Sequence, residues 1–234
     1  MNSTVPLSSM DRFVSSFFNA EVAARYVAPI LDGMLLTIGL GLCVIATGLV
    51  LGLALAVLRI QHVKLVNAFI IAFADIFRAL PPLVVIILLF FAFPYIELSM
   101  SAFTATWLAL SLVLAAFTEE IFWAGMLAIP KGQWEAARSL GLSPWLTLRR
   151  IVMPQALRVI VPGLNSQYIS LAKSSSLAVA CGYTDLYSVA ETTLNQTGRA
   201  VEVVVILLGS YLVIDLVISG LMNGLNSLVQ LRER

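Results

Sequence analysis

Charge is scarce in this sequence. Asp, Glu, Lys and Arg make up 12% of its 234 residues, against about 25% in an ordinary soluble domain. Hydrophobic residues make up 60% and the mean hydropathy is +0.96, so a water-soluble fold has too little polar surface to cover the rest. Cysteine and histidine are nearly absent as well. Cys43 and Cys181 each lie in or beside an apolar run, and His62 is the single histidine. That excludes a disulfide framework and a Cys/His metal site, and leaves both cysteines as packing residues. The net charge is +1, with basic residues scattered through connections rather than massed in a stripe, which excludes a nucleic-acid footprint. No G-x-x-x-x-G-K-[ST] phosphate loop occurs, so the chain holds no ATP in the manner of a P-loop protein.

What is present is a series of long apolar runs. A bilayer core of ~30 Å takes about 20 residues of helix at ~1.5 Å rise each. The runs 30–58, 66–94, 102–129, 157–180 and 201–228 are all long enough. The expected fold is therefore all-α and integral to a membrane, with about five transmembrane helices. Residues 1–29 carry Asp11, Arg12, Glu21 and Arg25 and lack the layout of a cleaved signal peptide. They read as an extracytoplasmic or interfacial segment ahead of a transmembrane domain at 30–230. Lysine and arginine gather in 59–64, in 130–158 and in the C-terminal tail, and none lies in 98–101 or 181–198. The positive-inside rule then places the N-terminus outside and the C-terminus in the cytoplasm.

Features inside the runs carry further expectations. Gly48 and Gly52, four apart on one helical face of the first run, suit close approach of a neighbouring helix. In the second run Pro81 and Pro82 remove backbone donors, so that span is expected to break or kink near mid-membrane. Asp75, Arg78, Glu119, Glu120, Lys173 and Asp215 all lie within apolar runs. At that depth they should face the bundle interior, water or one another. Asp75 and Arg78, three apart, have the spacing of a local ion pair. Glu120 and Lys173 lie on different spans and offer opposite charges to the ammonium and carboxylate of an amino acid.

The long connection between the third and fourth runs, residues 130–154, reads PKGQWEAARSLGLSPWLTLRRIVMP. Residues 133–140 are good helix formers, and Gly141 suits a left-handed C-terminal turn. Ser143 and Pro144 suit the start of a second short helix, closed by Pro154. Two short cytoplasmic helices are expected, with Glu135, Arg138, Arg149 and Arg150 around Ala136, Ala137, Leu140 and Leu142. Such a surface is suited to docking in a partner's groove; composition alone would also fit an amphipathic loop on the lipid surface.

The order E-A-A, three residues, Gly, closing on I-x-x-P at 151–154, resembles the EAA loop of ABC importer permeases. FRALPPL, GQWEAARSLG and MPQALRVIVPGLNSQYISLAKSSSL resemble the polar amino-acid branch of that family, and the likeness runs from Leu35 onwards. Relatives usually carry arginine where Trp123 stands, and a Lys-Asp-Thr-Ser-like run where this chain has Lys173, Ser174, Ser175 and Ser176.

The resemblance implies a type I importer fold and the permease subunit of an ATP-binding-cassette importer, carrying a polar amino acid or similar solute into the cytoplasm across a bacterial inner membrane. It implies a second permease chain, identical or related, two ATPase subunits and an extracytoplasmic solute-binding protein. ATP and Mg would sit on the ATPase subunits, with no cofactor and no catalysis on this chain. ATPase coupling would fall on Gln133, Glu135, Ala136, Ala137, Arg138, Gly141, Leu142 and Pro144. Candidate substrate-pathway residues are Asp75, Glu120, Lys173 and Ser175.

Two other functions fit parts of the pattern. An ATP-independent secondary transporter or channel would share the broken helix and midplane charges, but usually has more spans or an internal repeat. A Glu-Glu intramembrane protease is prompted by Glu119 and Glu120. It would need a further base where His62 stands alone in a loop, and an arginine where Ala124 stands.

Overall fold

The computed structural model describes residues 8–10, 13, 20–198 and 200–231, so most of the expected 1–29 segment lies outside them. Among the described residues the ordered elements are helical. The first long helix, α1 (Ala20–Arg59), begins ten residues before the expected boundary at 30 and carries Pro29 inside it. Residues 20–29 are thus continuous with the first span rather than separate from it. Tyr26–Arg59 contains an 18-residue window with a mean hydropathy of 2.5.

The second run is broken as the prolines require. Helix α2 (Lys64–Ala79) ends where Leu80 and Pro81 turn extended, and α3 (Pro82–Ile87) restarts with proline in its first turn. A π turn (Leu88–Ala92) and a 3-10 turn (Phe93–Ile96) carry it on, and the two halves are bent by 104°. Helix α4 (Ala102–Leu127) is capped by Ser101, whose hydroxyl accepts from the Thr104 amide. It is the central helix, with Ala105, Ala109, Leu110, Leu114, Thr118, Glu119, Phe122 and Met126 all buried.

The most extensive helix pair is α1 on α4, and small residues make it possible. A Cβ added to Gly48 would lie 2.8 Å from Leu114, and one added to Gly52 would lie 2.6 Å from Thr118. The backbones approach closely because neither glycine has a side chain to hold them apart. The Trp107 indole donates to Thr47 at 3.2 Å across the same contact.

After α4 come two short helices, α5 (Lys131–Ser139) and α6 (Pro144–Thr147). Pro154 does not close the second, as the sequence suggested. A π turn (Leu148–Val152) leads directly into α7 (Met153–Ser174), and Pro154 sits in the first turn of α7, where no intrahelical N–H is needed. A 3-10 segment (Ser175–Cys181) ends α7 at Gly182.

Helix α8 (Leu186–Thr197) occupies what the sequence suggested was plain connection. Asp185 caps it by accepting from the Ser188 amide at 2.8 Å, and the Leu186 amide donates to Thr37 of α1 at 3.0 Å. Helix α9 (Ala200–Leu231) completes the fold.

Three of these helices are long and apolar enough to cross a bilayer, or four if the bent pair α2 and α3 counts as one span. The expected five is reached only if α7 crosses too. Helix α7 is less apolar because it buries Ala156, Ile160, Leu164 and Leu171 against the other helices and keeps polar residues between them.

Candidate translocation cavity and coupling surface

Arg59, which the sequence placed in a polar connection, is the last residue of α1, and Arg78 lies in the last turn of α2. Both reach α4. Arg59 Nη1 donates to the two carboxylate oxygens of Glu119 at 3.0 and 3.2 Å, and lies 3.5 Å from Glu120 Oε2. Arg78 Nη1 donates to the same Glu120 oxygen at 2.9 Å. The Arg59 guanidinium also lies over the Trp123 ring, 4.4 Å from its centroid. Glu119 is fully buried, whereas the Arg78 and Glu120 side chains are 34% and 40% exposed. Two positive and two negative groups thus cancel within one cluster that ties α1, α2 and α4 together. The balance matters because an unpaired buried charge costs several kcal/mol.

Arg78 faces two ways. Besides holding Glu120, it lines a cavity of 520 Å³ together with Pro81 and Pro82 of the helix break. Leu110, Val113 and Phe117 of α4 form an apolar wall, and Gln167, Ser170 and Ser174 of α7 form a polar one. The break positions this site: α2 ends in extended backbone at Leu80, opening a gap that a continuous helix would fill.

The structure redistributes the expected pathway residues. Glu120 stands at the cavity's charged end, through Arg78. Asp75 does not pair with Arg78; it is exposed and forms no ion pair among the described residues, and the arginine reaches Glu120 on α4 instead. Lys173 does not face Glu120 either. It is 62% exposed, and its Nζ lies 3.3 Å from Asp215 Oδ2 of α9. Ser175 is buried and does not line the cavity. The residues missed are Gln167, Ser170 and Ser174, whose spacing of three and four puts them on one helical face. That polar stripe in an apolar helix was the available signal.

At the other end of the cluster, α5 and α6 project from the bundle. Gln133, Glu135, Ala136, Arg138, Gly141 and Pro144 are exposed, and Leu142 is half-buried. Ala137 corrects the expectation of a partner contact: it is buried, and so anchors α5 on the chain. Leu140 is 81% exposed and Trp145 59% exposed, beside the exposed charges of Glu135 and Arg138. Gly141 adopts φ +77°, the left-handed region that favours glycine. Its amide donates to the Arg138 carbonyl at 2.9 Å and the Leu142 amide donates to Ala137 at 3.1 Å, which ends α5 sharply. Behind the pair lies a groove of 720 Å³ lined by His62, Lys131, Trp134, Arg138 and Trp145.

Glu119 and Glu120 are each engaged by arginine, so the paired carboxylates are not arranged to activate water. Residues 48–230 match the family model for the binding-protein-dependent transport system inner membrane component. The chain belongs to that family. The curated relatives it matches are named as amino-acid transport permeases. Over 128 residues it is 53% identical to the putative amino-acid ABC transporter permease protein YhdX of Escherichia coli, covering 54% of this chain and 33% of that one. Over 134 residues it is 51% identical to the glutamate/glutamine/aspartate/asparagine transport system permease protein BztB of Rhodobacter capsulatus, covering 57% and 32%. The aligned part thus spans about a third of the length of these two relatives. With the probable glutamine ABC transporter permease protein GlnP of Bacillus subtilis, identity is 38% over 169 residues, 72% of this permease and 78% of GlnP. The fold matches the crystal structure of an amino acid ABC transporter with histidines at a TM-score of 0.80 and 28% identity, covering 87% of this chain and 95% of that one. An inward-facing MetNI methionine ABC transporter shares the fold at a TM-score of 0.66 and 22% identity.

Proposed function

We propose that this permease and a second permease chain, identical or related, form the pathway of an ATP-driven importer for a polar amino acid. Two ATPase subunits holding ATP and Mg dock on α5 and α6, and an extracytoplasmic solute-binding protein delivers substrate from the other side. The distribution of lysine and arginine supports a cytoplasmic C-terminus and an N-terminus outside. The relatives' amino-acid substrates and the polar stripe of Gln167, Ser170 and Ser174 support the substrate class.

The observation that carries the reading is the α5–α6 surface, where bare Leu140 and Trp145 stand beside Glu135 and Arg138 on a tightly turned pair. Apolar side chains ringed by charge are what a partner's groove buries. Gln133, Glu135, Ala136, Arg138, Gly141, Leu142 and Pro144 form the contact, while Ala137 fixes it to the bundle. A docked element transmits a partner's motion only if it is stiff, because a partner shifts a two-state element through differential contacts alone.

Gly141→Val strains the left-handed turn and Glu135→Lys reverses a surface charge. In reconstituted transporter both should leave ATP hydrolysis running while uptake per ATP falls roughly 10-fold. Unaltered uptake per ATP in both variants would overturn the assignment.

A further inference from the structure

We propose that the 720 Å³ groove behind α5 and α6 is a binding site for an anionic phospholipid, with its headgroup phosphate on Lys131 and Arg138 and its chains along the ends of α1 and α4. The inference goes beyond the transport reading and does not depend on which solute is carried.

Level is the first support. The stretches of α1 and α4 that are long and apolar enough to cross a bilayer end at Arg59 and Leu127. The groove opens at that same limit. Val57 and Ile60 at the end of α1, with Leu127 and Ile129 at the end of α4, supply the apolar part of its lining. Leu127 is 59% exposed, so hydrocarbon laid there removes apolar surface from water. Trp134 and Trp145 line the same groove, and tryptophan gathers at the headgroup level of a bilayer, where its ring is half in hydrocarbon and half wet.

Charge selects the occupant. Among the described residues, the lining holds Lys131 and Arg138 and no Asp or Glu. Both cations are exposed, and neither forms an ion pair among the described residues. They stand seven residues apart on α5, so both leave the same face of the helix as Trp134. A ligand that satisfies this lining has a phosphate at one end and hydrocarbon at the other. A free phosphate would leave the apolar part uncovered, and a zwitterionic lipid would bring a cation of its own to Lys131 and Arg138. Glu135 and Leu140, on the docking face, do not line the groove, so the lipid and the ATPase subunit take different sides of α5.

The opposite wall is held by a tight turn. The Gln61 amide donates to the Leu58 carbonyl at 3.1 Å and the His62 amide to the Arg59 carbonyl at 3.3 Å. His62 adopts φ +58°, in the left-handed region that residues other than glycine seldom enter. That turn sets His62 in the groove lining, its ring edge-on to Trp123 at 6.5 Å between centroids. Trp123 in turn carries the Arg59 guanidinium, so this wall is tied to the buried charge cluster.

The test uses the assembled permease and ATPase complex in nanodiscs of mixed phosphatidylcholine and phosphatidylglycerol. The complex is extracted into detergent, and the lipid it keeps is counted by mass spectrometry. Phosphatidylglycerol should be kept in preference to phosphatidylcholine. Lys131→Gln and Arg138→Gln should each lower its retention roughly 5-fold, the worth of one basic residue at an anionic lipid surface, whereas Lys131→Arg should keep it. Lys131 lies outside the residues assigned to ATPase docking, so its variants carry the test if Arg138→Gln fails to assemble. Arg149→Gln and Arg150→Gln remove exposed cations that do not line the groove, and should leave retention unchanged. Glycerol 3-phosphate, a headgroup without chains, should not displace the lipid. Equal retention of the two lipids, undiminished retention by Lys131→Gln, or an equal loss with Arg149→Gln would overturn the proposal. Displacement by glycerol 3-phosphate would also overturn it, by making the groove a site for free phosphate. So would retention that appears only once the ATPase subunits are removed, which would make the groove part of their interface.

Discussion

Alanine at Gly52 perturbs the packing on which the charge cluster depends. Its Cβ would lie 2.6 Å from Thr118 Cβ and 2.8 Å from the Ala115 carbonyl oxygen. Carbon atoms rest at about 3.5–4.0 Å, so α1 and α4 must part by roughly 1 Å, since a backbone carbonyl has no rotamer into which to retreat. Overpacking of this kind costs about 1–3 kcal/mol, against a gain of about 0.5–1 kcal/mol for replacing glycine inside a helix. The net loss is up to about 2.5 kcal/mol. The movement also reaches the ion pairs. Gly52 lies about two turns from Arg59, and Thr118 adjoins Glu119, so parting the helices by ~1 Å stretches the 3.0 Å Arg59–Glu119 contact beyond hydrogen-bonding range. Gly39→Ala is the reference, because a Cβ there meets nothing within 4 Å and only the helix gain remains. Thermal unfolding of the purified protein in detergent, followed by intrinsic tryptophan fluorescence, reads both. Gly39→Ala should melt at or above the parent and Gly52→Ala several degrees below. Equal midpoints for the two variants would refute the close approach of α1 to α4.

Two further predictions concern buried carboxylates. Arg59→Ala strands Glu119, which is fully buried and bonded to no other arginine among the described residues, so it should cost about 3–5 kcal/mol. Glu119→Ala leaves Arg59 its contacts with Glu120 and Trp123, and should cost about 2–3 kcal/mol; denaturation midpoints in the reverse order would contradict the pairing. Outside the membrane-spanning segments, burial pushes the Asp185 carboxyl from 3.8 up to about 6, against the lowering effect of the Ser188 amide, and its Oδ2 has no hydrogen-bond partner. The folded chain therefore holds that proton more tightly than the unfolded chain. The associated stability is fully present below about pH 3.8, is lost as pH rises through 6, and amounts to at most about 3 kcal/mol. Asp185→Asn keeps the cap and should flatten the dependence of melting temperature on pH between about 3.8 and 6; an unchanged slope would rule Asp185 out as its source.

Much of the fold was legible because the bilayer imposes a length. Apolar runs of twenty or more residues mark α1, α4 and α9, and Pro81-Pro82 marks the break between α2 and α3. Gly48 and Gly52 announced a close helix contact, though not that α4 supplies it. Helix α8 was passed over because its apolar positions are sparse, although Asp185 followed three residues later by Ser188 is a capping arrangement. The two short helices and the turn between them were legible in the helix formers of 133–140 and in Gly141, but Ala137 could be turned inward only by a packed bundle beneath α5.

The charged residues were visible one by one, and their partners were not. Composition and run length determine that Arg78, Glu120, Lys173 and Asp215 must face the bundle interior, water or one another, because hydrocarbon does not solvate them. Which charge meets which depends on helix rotation, depth and the bend at Pro81, quantities set by long-range packing. The tertiary structure alone decided that Arg78 reaches Glu120 rather than Asp75, and that Lys173 is matched by Asp215. Sequence by itself thus determined a membrane-embedded, helical chain with an exposed loop between two of its apolar runs, and the packed helices decided which of its charges meet.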